Sequence, residues 1–292
     1  MVQAAVSSLT ARAGVRMLVS GPDSLVAAAD LGGGLSMYAD RREVWRRTDL
    51  DLDAKTRDAA RVTDMAFDLD GETLVVVGSH GVVALDAKTG ETKWARKRRW
   101  IFGFLSDLPL TVCAGPDSDY VVAWSSGRVE RMDSKGLKKR HWIDNSAPES
   151  MVYVESLGIL CGADGYSVRS WDASVWPPVE QASLVGRWVK VVAVPGTECF
   201  VARRLDAVFC LDVRTLDVLW SMPGPVAHPA MAVSPDGALV AWVGPSAVFV
   251  HDVADGKLVH SISPRSRPLS VAGDADGWFL GLADGSLEFS ER

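Results

Sequence analysis

Cysteine and histidine are scarce in this 292-residue chain, which has four of the first and five of the second, and neither occurs at metal-ligand spacing. With no C-x-x-C pair and no H-E-x-x-H, a structural zinc site or a zinc-dependent hydrolase has no ligand set to start from. Cys113, Cys161, Cys199 and Cys210 all lie inside apolar runs (LTVCAG, GILCGA, ECFVA, VFCLD), a setting for buried reduced thiols. Cys199 and Cys210 flank a predicted hairpin turn that could bring them near each other. G-x-S-x-G and Walker loops are also missing. No apolar run approaches the roughly 18 residues of a membrane-spanning helix. The opening MVQAAVSSLTARAG lacks the charged-then-apolar order of a secretory signal. Together these absences lead us to expect a soluble, cytoplasmic protein with no cofactor and no metal.

Apolar residues, by contrast, make up 48% of the chain, and charged residues 23%, enough to bury the core of one or two domains. The net charge of -6 argues against nucleic acid as the partner of the whole surface. The cations are unevenly placed: residues 1–146 hold 21 Lys/Arg and 20 Asp/Glu, residues 147–292 hold 10 and 17. Arginine outnumbers lysine 22 to 9, a bias of GC-rich genomes that points to a bacterial source.

A repeat with a period near forty organises the chain. Its clearest copy is VTDMAFDLDGETLVVVGSHGVVALDAKTGETKW (62–94), which divides at Asp70-Gly71, Ser79-His80-Gly81 and Lys88-Thr89-Gly90 into four short strand-like runs. Copies recur at 15–45, 110–142 and 229–260, and fainter ones at 150–181, 188–220 and 268–291. An acidic residue marks the end of the third run each time: Asp40, Asp86, Asp133, Asp172, Asp212, Asp252 and Glu291, at intervals of 46, 47, 39, 40, 40 and 39. Four antiparallel strands per unit and seven marks predict an all-β, seven-bladed β-propeller occupying residues 1–292 as one domain. Its blades fall at about 15–50, 62–97, 109–143, 150–184, 188–222, 229–263 and 268–292. The last copy stops after its third strand, so residues 2–9 (VQAAVSSL) are expected to supply the outer strand of blade seven and close the ring.

These residues resemble the WD-repeat propellers over nearly the whole chain. Trp171-Asp172 is the only literal Trp-Asp pair and no Gly-His pair occurs, so the family's hydrogen-bonded tetrad does not assemble in its usual form and the repeats are divergent. The second unit, ALDAKTGETKW (84–94), is similar to a quinoprotein-type blade. The Asp-to-Trp interval of eight, repeated at Asp212 and Trp220, reflects a bulky ring docking between blades. His141 and His260 hold the same place in their units. Gly32-Gly33-Gly34 falls between two strands and reads as a hairpin turn, not as a phosphate cradle.

Two insertions of about seven residues break the period. One, TDLDLDAKTRDAAR (48–61), reads as a solvated linker. The other sets Arg96, Lys97, Arg98 and Arg99 beside Trp100, Phe102 and Phe104, a pairing that an acidic peptide, a nucleic-acid strand or an anionic surface would select. Cations on outer strands also guard sheet edges. Trp176, followed by two prolines and placed between blades four and five, is a further candidate anchor for a partner. With no catalytic constellation, the sequence points to a non-catalytic interaction scaffold or adaptor, monomeric within a hetero-complex. The alternatives are an enzyme with its site at the central channel, or a binder of nucleic acid or anionic surfaces through residues 96–104.

Overall fold

The computed structural model describes residues 14–48, 50, 62–79, 81–97, 99–101, 105–136, 138–142, 147–224 and 230–292, giving the backbone alone for 99–101, 105, 106 and 138–142. Blade one comprises β1 (Val15–Ser20), β2 (Leu25–Asp30), β3 (Leu35–Ala39) and β4 (Arg42–Arg47), and blade two β5 (Val62–Phe67), β6 (Thr73–Gly78), β7 (Gly81–Asp86) and β8 (Thr92–Lys97). A small two-stranded sheet follows, β9 (Arg99–Ile101) with β10 (Leu105–Asp107). Blade three holds β11 (Pro109–Ala114), β12 (Tyr120–Trp124), β13 (Arg128–Met132) and β14 (Lys138–Trp142). Blade four holds β15 (Ser150–Val154), β16 (Ile159–Ala163), β17 (Ser167–Asp172) and β18 (Val179–Val185). Blade five holds β19 (Trp188–Ala193), β20 (Cys199–Arg204), β21 (Ala207–Asp212) and β22 (Val218–Pro223). Blade six holds β23 (Met231–Val233), β24 (Leu239–Val243), β25 (Val248–Asp252) and β26 (Leu258–Ile262), and blade seven β27 (Pro268–Asp274), β28 (Gly277–Leu282) and β29 (Leu287–Glu291).

Strands pair antiparallel in chain order within every blade. The first strands touch one another in a closed circuit, β1 to β5, β11, β15, β19, β23, β27 and back to β1, so the molecule is a seven-bladed propeller. Middle strands are buried on both faces and read as apolar runs: all six residues of β6 (TLVVVG) are buried, while β8 (TKWARK) at the rim is mostly exposed. Hydroxyl side chains tie neighbouring inner strands. Thr63 donates to the Pro109 carbonyl at 3.1 Å, Thr111 to the Asp64 carboxylate at 2.5 Å, and Ser150 accepts the Val191 amide at 3.2 Å.

Five of the marker acids recur because each closes the same third-to-fourth turn. Asp86 Oδ1 accepts the amides of Lys88 and Thr89, and Asp133, Asp172, Asp212 and Asp252 cap their own turns in the same manner. At Asp172 the Ser174 hydroxyl, then its amide, holds the carboxyl below its ordinary value of 3.8. At Asp86 and Asp212 partial burial pushes the carboxyl up, and the turn amides and a threonine hydroxyl outweigh it. A depressed folded-state pKa means stability that is present above the ordinary value and is lost as pH falls through the folded one. Thermal unfolding should therefore move to lower temperature on acidification below about pH 4. Replacing Asp86, Asp172 and Asp212 together with asparagine, which keeps the acceptor, should flatten that dependence.

Between blades, an outer-strand indole lies on the next blade's turn glycine: Trp45 on Gly90, Trp94 on Gly136 and Trp220 on Gly256. Added Cβ atoms there would meet the rings at 2.8, 2.9 and 3.0 Å, and all three glycines have positive φ, so both space and backbone demand glycine. Trp45 and Trp220 donate their indole N–H to the carbonyls of Ala87 and Val253, at 2.8 and 2.6 Å. The turn under Trp94 is one residue shorter, and Trp94 Nε1 has no partner among the described residues. Two positions after Trp45 and Trp94, Arg47 and Arg96 donate to the carbonyls of Gly90 and Gly136.

The junction of blades four and five inverts this arrangement. Ala182 stands where the tryptophan would be, and Leu216, at φ 61°, stands where the glycine would be. Both belong to one apolar cluster, so the volume has moved from one blade to the other. The double variant Ala182→Trp/Leu216→Gly should be more stable than either single variant by at least about 1 kcal/mol in chemical denaturation, a direct measure of that exchange.

Blades seven and one meet like any other pair. Val26, Ala28 and Tyr38 pack with Ala272, Phe279 and Phe289. Ser270 donates to the Val15 carbonyl at 3.0 Å and Ser20 to the Gly273 carbonyl at 2.7 Å. Arg41 lies 3.8 Å over the Phe289 ring and pairs with Asp276 at 2.8 Å. Among the described residues blade seven has three strands, and the expected closing strand, residues 2–9, lies outside them.

Candidate interaction surface

Antiparallel order puts two kinds of connection at each end of the ring. One end carries the blade-to-blade connections and the second-to-third-strand turns, and the other carries the first-to-second and third-to-fourth turns. Both insertions belong to the first end. Of the earlier one, Leu50 is not solvated: it is buried among Leu35, Met65 and Leu74 at the junction of blades one and two.

The basic and aromatic insertion forms the β9–β10 hairpin, in which Ile101 pairs with Leu105 and Arg99 with Asp107. Asp107 fastens its end to blade three. The Asp107 carboxylate is only 3% exposed, accepts the Ser126 amide at 3.2 Å and pairs with Arg128 at 2.8 Å. Arg128 also lies 3.3 Å from Glu130, which is fully buried, and its guanidinium sits 4.4 Å from the centre of the Trp124 ring. The hairpin thus stands on a buried charge cluster that holds it to the β12–β13 turn.

Of the sequence-predicted site residues only Arg96, Lys97 and Trp176 have described side chains, and these three are not gathered into one place. Arg96 is committed to the Gly136 carbonyl, and Lys97 is exposed on the outer strand. Arg98, Phe102 and Phe104 lie outside the described residues, as do the side chains of Arg99 and Trp100. Trp176 is not between blades four and five. It lies in the turn between β17 and β18 and packs against Cys113, Val121 and Met151 at the junction of blades three and four, filling from the turn the space that a strand tryptophan fills elsewhere.

Sequence reasoning missed a second feature at the same end. Between β18 and β19 the blade-to-blade connection is only Gly186-Arg187, against seven residues between β14 and β15 and seven between β22 and β23, and we call this short junction the notch. Tyr166 stands at one wall, 77% exposed, on a turn fixed by Asp164, whose Oδ1 accepts the amides of Tyr166 and Ser167 at 2.9 and 2.7 Å. The Tyr166 carbonyl accepts the Gly186 amide at 2.7 Å, which places Val185, 85% exposed, and the exposed Arg187 beside it. Leu205 and Arg204, the latter paired with Trp188 across β19–β20, form the other wall. Exposed tyrosine, aliphatic and arginine side chains on rigid turns are the composition of a docking site. Its signal in the sequence is an aromatic residue directly after an Asp-Gly turn.

His251 Nδ1 lies 3.0 Å from the Gly256 carbonyl and the ring stacks on Trp242, with burial lowering its pKa. Among the described residues no group of three His, Cys, Asp or Glu could hold a metal, and no helix is long and apolar enough to cross a membrane. All four cysteines are unbridged.

Neither family models nor curated proteins match the chain. Solved structures do. The β-propeller domain of Cps50 (Swd1) from Myceliophteria thermophila is similar over 100% of both chains, with a TM-score of 0.78 and 12% identity. U3-55K is similar over 96% of both chains, with a TM-score of 0.77 and 13% identity. At these identities the likeness is one of fold, and it supports the WD-repeat-like form read from the repeats.

Proposed function

We propose that this propeller is a non-catalytic protein–protein interaction scaffold or adaptor subunit, and that the notch over blades four and five is one of its docking sites. The observation that carries the reading is Tyr166 with Val185 and Arg187, exposed on turns that hydrogen bonds hold rigid, at the end of the ring where the blade-to-blade connections collect. The marker carboxylates support a non-enzymatic role, because they cap turns instead of converging on a channel. Four unbridged thiols suit the reducing cytoplasm. The partners are read as other proteins, because exposed tyrosine, aliphatic and arginine side chains together suit a protein surface.

The test is affinity capture from the native host with the wild-type chain and with Tyr166→Ala/Arg187→Glu. We expect a partner retained by the wild type and reduced about tenfold or more in the variant. Equal retention by both removes the notch as a site, and capture of nothing by either removes the scaffold reading.

A further inference from the structure

The outer rim is divided by charge. In blades one to three the stretches from the marker acid through the fourth strand, residues 40–47, 86–97 and 133–142, hold twelve Lys/Arg and five Asp/Glu. The corresponding stretches of blades four to six, residues 172–185, 212–223 and 252–262, hold two and six.

The fourth strands of the second arc are also bare of cationic guards. Neither β22 (VLWSMP) nor β26 (LVHSI) has a charged residue, and β18 has only Glu180. A sheet edge is ordinarily kept from pairing by Lys, Arg or Pro; here Pro223 ends β22, and aliphatic side chains stand where the cations would be. Val179, Leu219 and Val259 recur at intervals of 40 residues and are each more than half exposed, with Val218 and Leu258 beside them. The carboxylates of Asp212, Asp217, Asp252 and Asp255 border this stripe at its third-to-fourth turns. On the first arc Arg42, Lys88 and Lys135 are exposed, on stems long enough to cover aliphatic surface while the charged heads meet carboxylates.

The two arcs adjoin only at the junction of blades three and four and elsewhere face away from each other around the ring, so most of their complementary charge cannot meet within a molecule. We propose that the protein associates with itself rim to rim, the acidic and aliphatic arc of blades four to six in one copy docking on the cationic arc of blades one to three in the next. The contact is heterologous, since each copy presents both surfaces, and it can therefore repeat into rows or close into a ring of propellers. It departs from the monomer expected from the sequence. It is also independent of the notch, which faces one end of the ring and not its rim.

Sedimentation velocity on the full chain tests this. At about 20 mM salt the sedimentation coefficient should rise with concentration up to about 200 µM, and about 500 mM salt should return it to the monomer value. Leu219→Lys/Val259→Lys and Arg42→Glu/Lys88→Glu change only exposed side chains, and each should weaken association at least about tenfold with an unaltered circular dichroism spectrum. Mixed in equal amounts, the two variants each retain one intact arc and should associate again but stop at a dimer. A monomer throughout the low-salt series, association untouched by either variant, or a mixture that does not recover would each overturn the proposal. A monomer that binds a synthetic alternating Val-Lys peptide would likewise overturn it and give the arc to a basic partner.

Discussion

Replacing Trp220 with alanine is expected to lower the free energy of unfolding by about 3–5 kcal/mol, the range for removing a large ring from a packed site. The indole covers Gly256, donates to the Val253 carbonyl at 2.6 Å and packs against the core shared by Cys210, Met231 and Trp242. Alanine would remove all three contacts, and the glycine beneath could not refill the space. A finer contrast separates the ring from its N–H. Trp220→Phe leaves the Val253 carbonyl without its donor, while Trp94→Phe removes an N–H that has no partner among the described residues. The first phenylalanine variant should cost about 1 kcal/mol more than the second. Chemical denaturation of the four variants measures both effects, and equal losses in the phenylalanine pair would show that only the ring's volume counts.

Arg128→Met should be about as damaging, at about 3–5 kcal/mol, for a different reason. Removing the guanidinium leaves Asp107 and Glu130 as buried carboxylates without the cation they share. A buried ion pair adds little net stability, but half of one is costly. The triple variant Arg128→Met/Asp107→Leu/Glu130→Leu should accordingly recover much of the loss. It should also release the β9–β10 hairpin, because the Ser126 amide loses its acceptor. Hydrogen exchange at Arg99–Ile101 reads the release separately from global stability: faster exchange there in a triple variant that has regained most of the lost stability is the expected result.

How far the sequence disclosed this molecule depended on whether a feature was local. The marker acids could be read because an Asp that caps its own turn needs only neighbours two or three residues away, as Asp86 and Asp212 show. The Asp-to-Trp interval was legible for the same reason. It shortens to five at Asp40 and Trp45 because that turn is reduced to Asp40 and Arg41, both at positive φ. Trp176 was misplaced because a prolyl turn and an outer strand can fill the same space from opposite sides, and only the packing against Met151 tells which does so. The bond of Arg96 to the Gly136 carbonyl was not legible because its acceptor is 40 residues away. The notch escaped notice because Tyr166, Arg187 and Leu205 belong to three separate segments that meet only where the shortest connection lets them.

The seam between blades seven and one has a consequence for how the ring is made. Ser270 and Val15, which it joins, are 255 positions apart. On the ribosome the flank of blade one, with Val26, Ala28 and Tyr38, emerges first and stays wet until Phe279 and Phe289 follow. Sealing is then a late and slow event. Until those two rings follow, the nascent chain carries an uncovered greasy wall, which is open to unintended contacts for as long as the later blades take to arrive.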